Sequence, residues 1–194
     1  MSFSKTSLSD LLSSLTDQKV VRRLSKSTQA DPSQVNQLIQ LGIPTLVQAM
    51  KNNASSQSGS LSLSKALDQH SADPISDLSS FLTQLDPKDG SKIIGHILGD
   101  KSSKVQSKLG AQTGLQNDQV GNLLRMLAPM LMGSLAQQKN SASSDVDLSG
   151  FLGGLLGNSG DDLAKTAMGL LDTDHDGDVM DDVSKLLGGF LNKR

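Results

Sequence analysis

The chain has 194 residues, 36% of them apolar, enough to bury a real core in one domain or in two small ones. Cys, Trp and Tyr are absent and Phe occurs four times, which excludes disulfides, thiolate metal sites and thiol nucleophiles and leaves almost no aromatic stacking for nucleic acid. A formal net charge of −2 gives no global attraction to nucleic acid or anionic lipid.

The first residues, Met1-Ser2-Phe3-Ser4-Lys5-Thr6-Ser7-Leu8, lack the apolar core and small-residue cleavage site of a secretory signal. No stretch approaches the eighteen or so apolar residues of a membrane span. The expectation is a soluble cytoplasmic protein with no membrane partner. Residues 1–19 read as an N-terminal helical extension.

Apolar residues then recur at three- and four-residue spacings, and no segment alternates like a strand, so the fold class is all-α and multihelical. A helix is expected over about 18–28, and Asp31 or Ser33 caps the next one, which carries Val35, Leu38 and Ile39. Pro44 marks a break before another short helix. The polar, Ser-rich stretch 52–60 reads as a loop, with a helix following near 61–70.

The same series recurs. At an offset of 85 residues, without a gap, 20–85 falls on 105–170 with 16 identities in 66 positions, where chance would give roughly four. Val20, Leu24, Thr28, Gln34, Val35 and Leu38 fall on Val105, Leu109, Thr113, Gln119, Val120 and Leu123, and Pro44 falls on Pro129. The expected organisation is two tandem repeats of about 85 residues, 20–99 and 100–194. A second Ser-rich loop lies at 138–145, and a helix near 146–157 follows. In that helix Gly150, Gly153, Gly154 and Gly157 imply either close helix–helix approach or an irregular, frayed segment.

Three further features carry possible chemistry. The segment Leu109–Arg125 spaces its residues like a helix-turn-helix, with Gln119, Asn122 and Arg125 facing a groove. Too few basic residues accompany them to neutralise phosphates, which argues against nucleic acid, and the basic run Lys19, Arg22, Arg23 and Lys26 reads as a solvated helix face. Met126, Met130 and Met132 are either core or an adaptable surface for a protein partner or a second copy. His70, His96 and His175 are dispersed, and His96 reads as a packed core residue. With no Ser-His-Asp grouping, phosphate loop or HExxH pattern, neither an enzyme nor a small-molecule substrate is indicated.

The run Asp89-Gly90-Ser91-Lys92-Ile93-Ile94-Gly95-His96-Ile97-Leu98-Gly99 comes first, followed by Leu109-Gly110-Ala111-Gln112-Thr113-Gly114-Leu115 and Leu127-Ala128-Pro129-Met130-Leu131-Met132-Gly133. Together they resemble the YidB-like bacterial family, domain of unknown function 937. The resemblance is densest over about 85–135 and reaches through the repeat and the acidic tail. It implies a bacterial, cytoplasmic, multihelical protein and no assigned activity.

The sharpest chemical signal is Asp172-Thr173-Asp174-His175-Asp176-Gly177-Asp178-Val179-Met180-Asp181-Asp182-Val183. Carboxylates at loop positions 1, 3 and 5, glycine at 6 and an apolar residue at 8 open an EF-hand-like loop. Calcium takes six to eight oxygens, so Asp172, Asp174 and Asp176 would bind through side chains and Asp178 through its backbone oxygen. Position 12 is Val183 rather than a bidentate Glu, so Asp181 or Asp182 closes the sphere, and the site is weak, in the range of roughly 10⁻⁵ to 10⁻³ M. The competing reading is a metal-free turn whose acids cap and favour the next helix. Leu85-Asp86-Pro87-Lys88-Asp89-Gly90-Ser91-Lys92 lies at the same place in the first copy, where Lys88 and Lys92 replace acids and no divalent ion is expected. Calcium is thus the expected cofactor, and a structural or interaction role the expected function.

Overall fold

The structure is a computed structural model that describes residues 7–141, 147–157 and 161–172. Every regular element among the described residues is helical. α1 (Leu8–Leu15) opens with a capping box in which Asp10 N–H donates to Ser7 Oγ at 3.2 Å and Ser7 N–H to Asp10 Oδ2 at 2.8 Å. Leu8, Leu11 and Leu15 then share one buried stripe. α2 (Gln18–Thr28) follows with Val20, Val21, Leu24 and Thr28 buried.

Two long helices form the centre. α3 (Pro32–Ala54) is capped by Asp31, and every residue from Gly42 to Met50 is buried; in α8 (Asn117–Ser141) the residues from 127 to 133 are buried likewise. Helices apolar all round belong in the interior. α4 (Gln57–Gln69) touches both of them, and the short α5 (Leu78–Phe81) lies on α2. α6 (Pro87–Leu98) packs against α8, while α9 (Leu148–Gly157) and α10 (Asp161–Leu171) pack against α3. α7 (Ser102–Thr113) stands to α8 as α2 stands to α3. One apolar cluster runs through all of these, from Leu8 to Leu171.

The α2–α3 and α7–α8 corners share their atomic detail at a spacing of 85 residues. Thr28 and Thr113 each donate Oγ1 to the carbonyl four residues back, Leu24 and Leu109, at 2.7 Å. Gln29 (φ 54°) and Gly114 (φ 72°) then end the two helices in the left-handed conformation. Gln34 Oε1 accepts from Asp31 N–H at 3.3 Å, and Gln119 Oε1 from Gln116 N–H at 3.1 Å. The two carboxamides also cross over: Gln34 Nε2 donates to Gly114 O at 3.2 Å, and Gln119 Nε2 to Gln29 O at 3.1 Å.

Pro44 and Pro129 do not break helices, as the sequence reading expected; both lie inside α3 and α8. A mid-helix proline removes the N–H that would bond the carbonyl four residues back, here Gln40 and Arg125. At Arg125 that carbonyl is covered by α6, because a Cβ on Gly90 would overlap it and only glycine allows so close an approach. The Ser-rich stretch 52–60 is also shorter as a loop than expected: α3 runs to Ala54, and Ser56 Oγ caps α4 by accepting from Gly59 N–H at 3.1 Å. Serine there serves as a cap. In the second stretch α8 continues through Ser141.

Candidate functional site

The acidic loop begins where α10 stops. Ala167, Leu170 and Leu171 are buried on one side of that helix, and Asp172 N–H closes its last turn on Met168 O at 2.8 Å. Lys108, reaching over from α7, donates Nζ to Gly169 O at 2.9 Å and to Asp172 O. A cation on the last carbonyls complements the negative end of the helix, and the contact fixes the backbone of the first loop residue. Asp174, Asp176, Asp178, Asp181 and Asp182 lie outside the described residues. Among the described residues no group of three or more His, Asp or Glu side chains converges on one point.

The first-copy counterpart proves to be a helix start. Asp86 caps α6 by accepting from Lys88 N–H at 2.9 Å, and Pro87 occupies the first turn, so Leu85–Lys92 forms no open loop.

Of the residues with helix-turn-helix spacing, Gln119 faces inward. Besides its bonds to Gln116 and Gln29 it donates to Thr28 O at 3.2 Å, which holds α8 against the end of α2. Asn122 is exposed and accepts from Arg125 at 3.0 Å. These two line an open cavity of about 260 Å³ with Thr28, Leu85, Asp86 and Met126. Lys19, Arg22, Arg23 and Lys26 are all exposed, as a solvated helix face requires.

The remaining expectations sort by burial. Met130 and Met132 are core residues at 0% and 1% exposure and Met126 is half-buried, so this trio offers no open surface. In α9 the leucines Leu148, Leu152, Leu155 and Leu156 face the core, while nothing lies within 4 Å of a Cβ built on Gly154 or Gly157. Among the described residues no other element comes close to those two glycines. Glycines that allow close approach between elements distant in sequence are Gly90 and Gly133, where a Cβ on the latter would come within 2.7 Å of Ile75 Cγ2. Neither stands out in the sequence, because a lone glycine within an apolar pattern does not reveal what crosses it.

His96 is exposed rather than packed in the core; its carbonyl, not its ring, takes part in the fold, accepting from Asn53 Nδ2 at 3.1 Å. His70 sits between two carboxylates, with Nδ1 2.8 Å from Asp73 Oδ2 and Nε2 3.8 Å from Asp89 Oδ2. Nearby, Lys139 Nζ on α8 meets Asp68 Oδ1 at 2.8 Å. Together these ties fasten the end of α4 to α6 and α8. His175 lies outside the described residues.

Among the described residues no helix is long and apolar enough to cross a membrane. No curated protein and no solved structure matches the chain. One family model does, over residues 10–138, which takes in α2 through most of α8 and stops short of the acidic loop. The chain belongs to that family, the bacterial proteins of unknown function designated DUF937.

Proposed function

We propose that this protein is a non-catalytic calcium-binding module built from two tandem copies of one helical unit, with calcium held in the loop 172–183 and acting to stabilise or present an interaction surface. The two copies stand about a local twofold axis; the support is the reciprocal exchange between Gln34 and Gln119, each donating to the left-handed corner of the other copy. The observation that carries the metal reading is the placement of Asp172. It follows directly on the packed helix α10 with its carbonyl tied down by Lys108, and an EF-hand loop likewise begins at the end of its entering helix. Asp174, Asp176 and Asp178 then follow at the alternating spacing that turns acids toward one ion, while mutual repulsion disfavours that crowding in the absence of a cation.

A ligand that binds only the folded chain raises its melting temperature in proportion to the logarithm of its concentration. The expected result is an upward shift at millimolar calcium that disappears in Asp174→Ala. An unchanged melt at millimolar calcium would sink the reading. The nucleic-acid alternative draws no support from Gln119, whose carboxamide is engaged within the fold.

A further inference from the structure

The two copies differ where each long helix meets the shorter helix of the other. Gln37 on α3 reaches across to α7 and donates Nε2 to the Gln112 carbonyl at 3.1 Å. At the offset of 85 residues the equivalent pair is Asn122 on α8 and Ser27 on α2, and no hydrogen bond joins them. Asn122 is one methylene shorter than Gln37, and its Oδ1 is taken by Arg125 Nη1 at 3.0 Å. Where Gln37 bridges α3 and α7, the corresponding place between α8 and α2 opens into the cavity of about 260 Å³.

Arg125 gives that cavity its charge. The equivalent position in α3 is the neutral Gln40. Arg125 is half-buried, and among the described residues its guanidinium bonds to Asn122 and pairs with no carboxylate. A cation partly withdrawn from water loses hydration that an anion restores. Asn122 occupies one of five N–H donors, so a planar fork remains, and the Asn122 Nδ2 beside it is a further donor without a partner among the described residues. The fork matches a carboxylate held by two parallel bonds.

The remaining lining selects what the carboxylate is attached to. Leu82, Leu85 and Met126 are half-buried and apolar, and methionine adapts to irregular shapes. Asp86 also lines the cavity, at the start of α6, with Oδ1 accepting from Lys88 N–H at 2.9 Å. Its charge repels an anionic head from the α6 side and directs it to Arg125 on α8. At about 30 Å³ per water, the volume suits a ligand of about eight non-hydrogen atoms.

We propose that this cavity binds a short aliphatic carboxylate, with its head on Arg125 and Asn122 and its chain against Leu82, Leu85 and Met126. The site exists in one copy because Asn122 and Arg125 stand where the other has Gln37 and Gln40. It is independent of the acidic loop.

Nuclear magnetic resonance titration of the full chain with hexanoate, hexanol and inorganic sulfate tests this. Hexanoate should give saturable shifts at the methyls of Leu82, Leu85 and Met126 and at the Asn122 side-chain amide, unchanged by a calcium chelator. Hexanol and sulfate should each bind about tenfold more weakly or worse, since one lacks the charge and the other the chain. Arg125→Gln and Asn122→Gln each install the residue that the first copy holds at the equivalent position, so both suit the fold, as an unchanged melting temperature without ligand should confirm. Arg125→Gln should weaken hexanoate by about tenfold and leave hexanol unaffected. Asn122→Gln should bridge to Ser27 and abolish binding of both. No saturable shift, hexanol as tight as hexanoate, or hexanoate binding that survives Arg125→Gln overturns the proposal. Sulfate as tight as hexanoate would reduce the site to an adventitious anion contact and overturn it equally.

Discussion

The corner between α2 and α3 and the corner between α7 and α8 reach one geometry with largely different residues. Gln29 and Gly114 both adopt the left-handed conformation, yet only the second is the residue that prefers it. Asp31 and Gln116 both precede a long helix, and in each copy a glutamine three residues on bonds back to that residue's N–H. What is identical between them, Thr28 with Thr113 and Gln34 with Gln119, is what caps a helix or crosses to the other copy. Between these two corners the identical residues are the ones that make these bonds, while Gln29 and Gly114, and Asp31 and Gln116, differ.

The comparison is broken most severely at Gly90. Gly90→Val drives a side chain into the Arg125 carbonyl and is expected to cost about 1–3 kcal/mol in denaturant unfolding. An unchanged midpoint would show that α6 can move off that carbonyl without loss. Next in size, Gln119→Ala leaves the Thr28 and Gln29 carbonyls short of a donor and should lower stability by about 1 kcal/mol, with Gln34→Ala close behind if the exchange is symmetric. The double variant should show coupling only through the corner they share.

Smaller effects sharpen the contrast. Gln29→Gly installs the residue found at position 114 and should stabilise the chain by about 0.5 kcal/mol, read as a rise in melting temperature. The caps also differ in their response to acid. The Ser33 hydroxyl, and then its N–H, donate to the Asp31 carboxylate and hold its pKa below the usual range. A lowered folded-state pKa gives stability that is present above the unfolded value, about 4, and is lost as pH falls through the folded one. Gln116 has no charge to lose. Asp31→Asn should therefore flatten the acid limb of a melting-temperature profile below about pH 4, with little effect at pH 7.

Much of the fold was legible because periodicity and caps are local. The span of α2 can be read from spacing alone, and the start of α3 from its caps, though not whether Asp31 or Ser33 provides the cap. The prolines misled, since a proline's local preference for a first turn was outweighed by the burial of helices apolar on every side. Two of the glycines of α9 misled in the opposite sense: composition suggested close packing, yet among the described residues nothing approaches Gly154 or Gly157, and a Cβ on Gly153 would meet only the Lys51 side chain in ordinary contact. The roles of Gln34 and Gln119 depend on contacts 80 to 91 residues apart, and only their identity across the repeat hinted at them. Of the proposed metal loop the sequence shows the acids, and the structure describes Asp172 alone, at the end of α10 beside Lys108.

The central claim, that the segment 172–183 binds calcium while Leu85–Lys92 does not, is tested most directly by calorimetric titration of the full chain with calcium. The account predicts one ion per chain, with a dissociation constant of roughly 10⁻⁵ to 10⁻³ M, abolished in Asp174→Ala and untouched in Asp86→Asn. Absence of binding at millimolar calcium, or binding that survives Asp174→Ala, would contradict it.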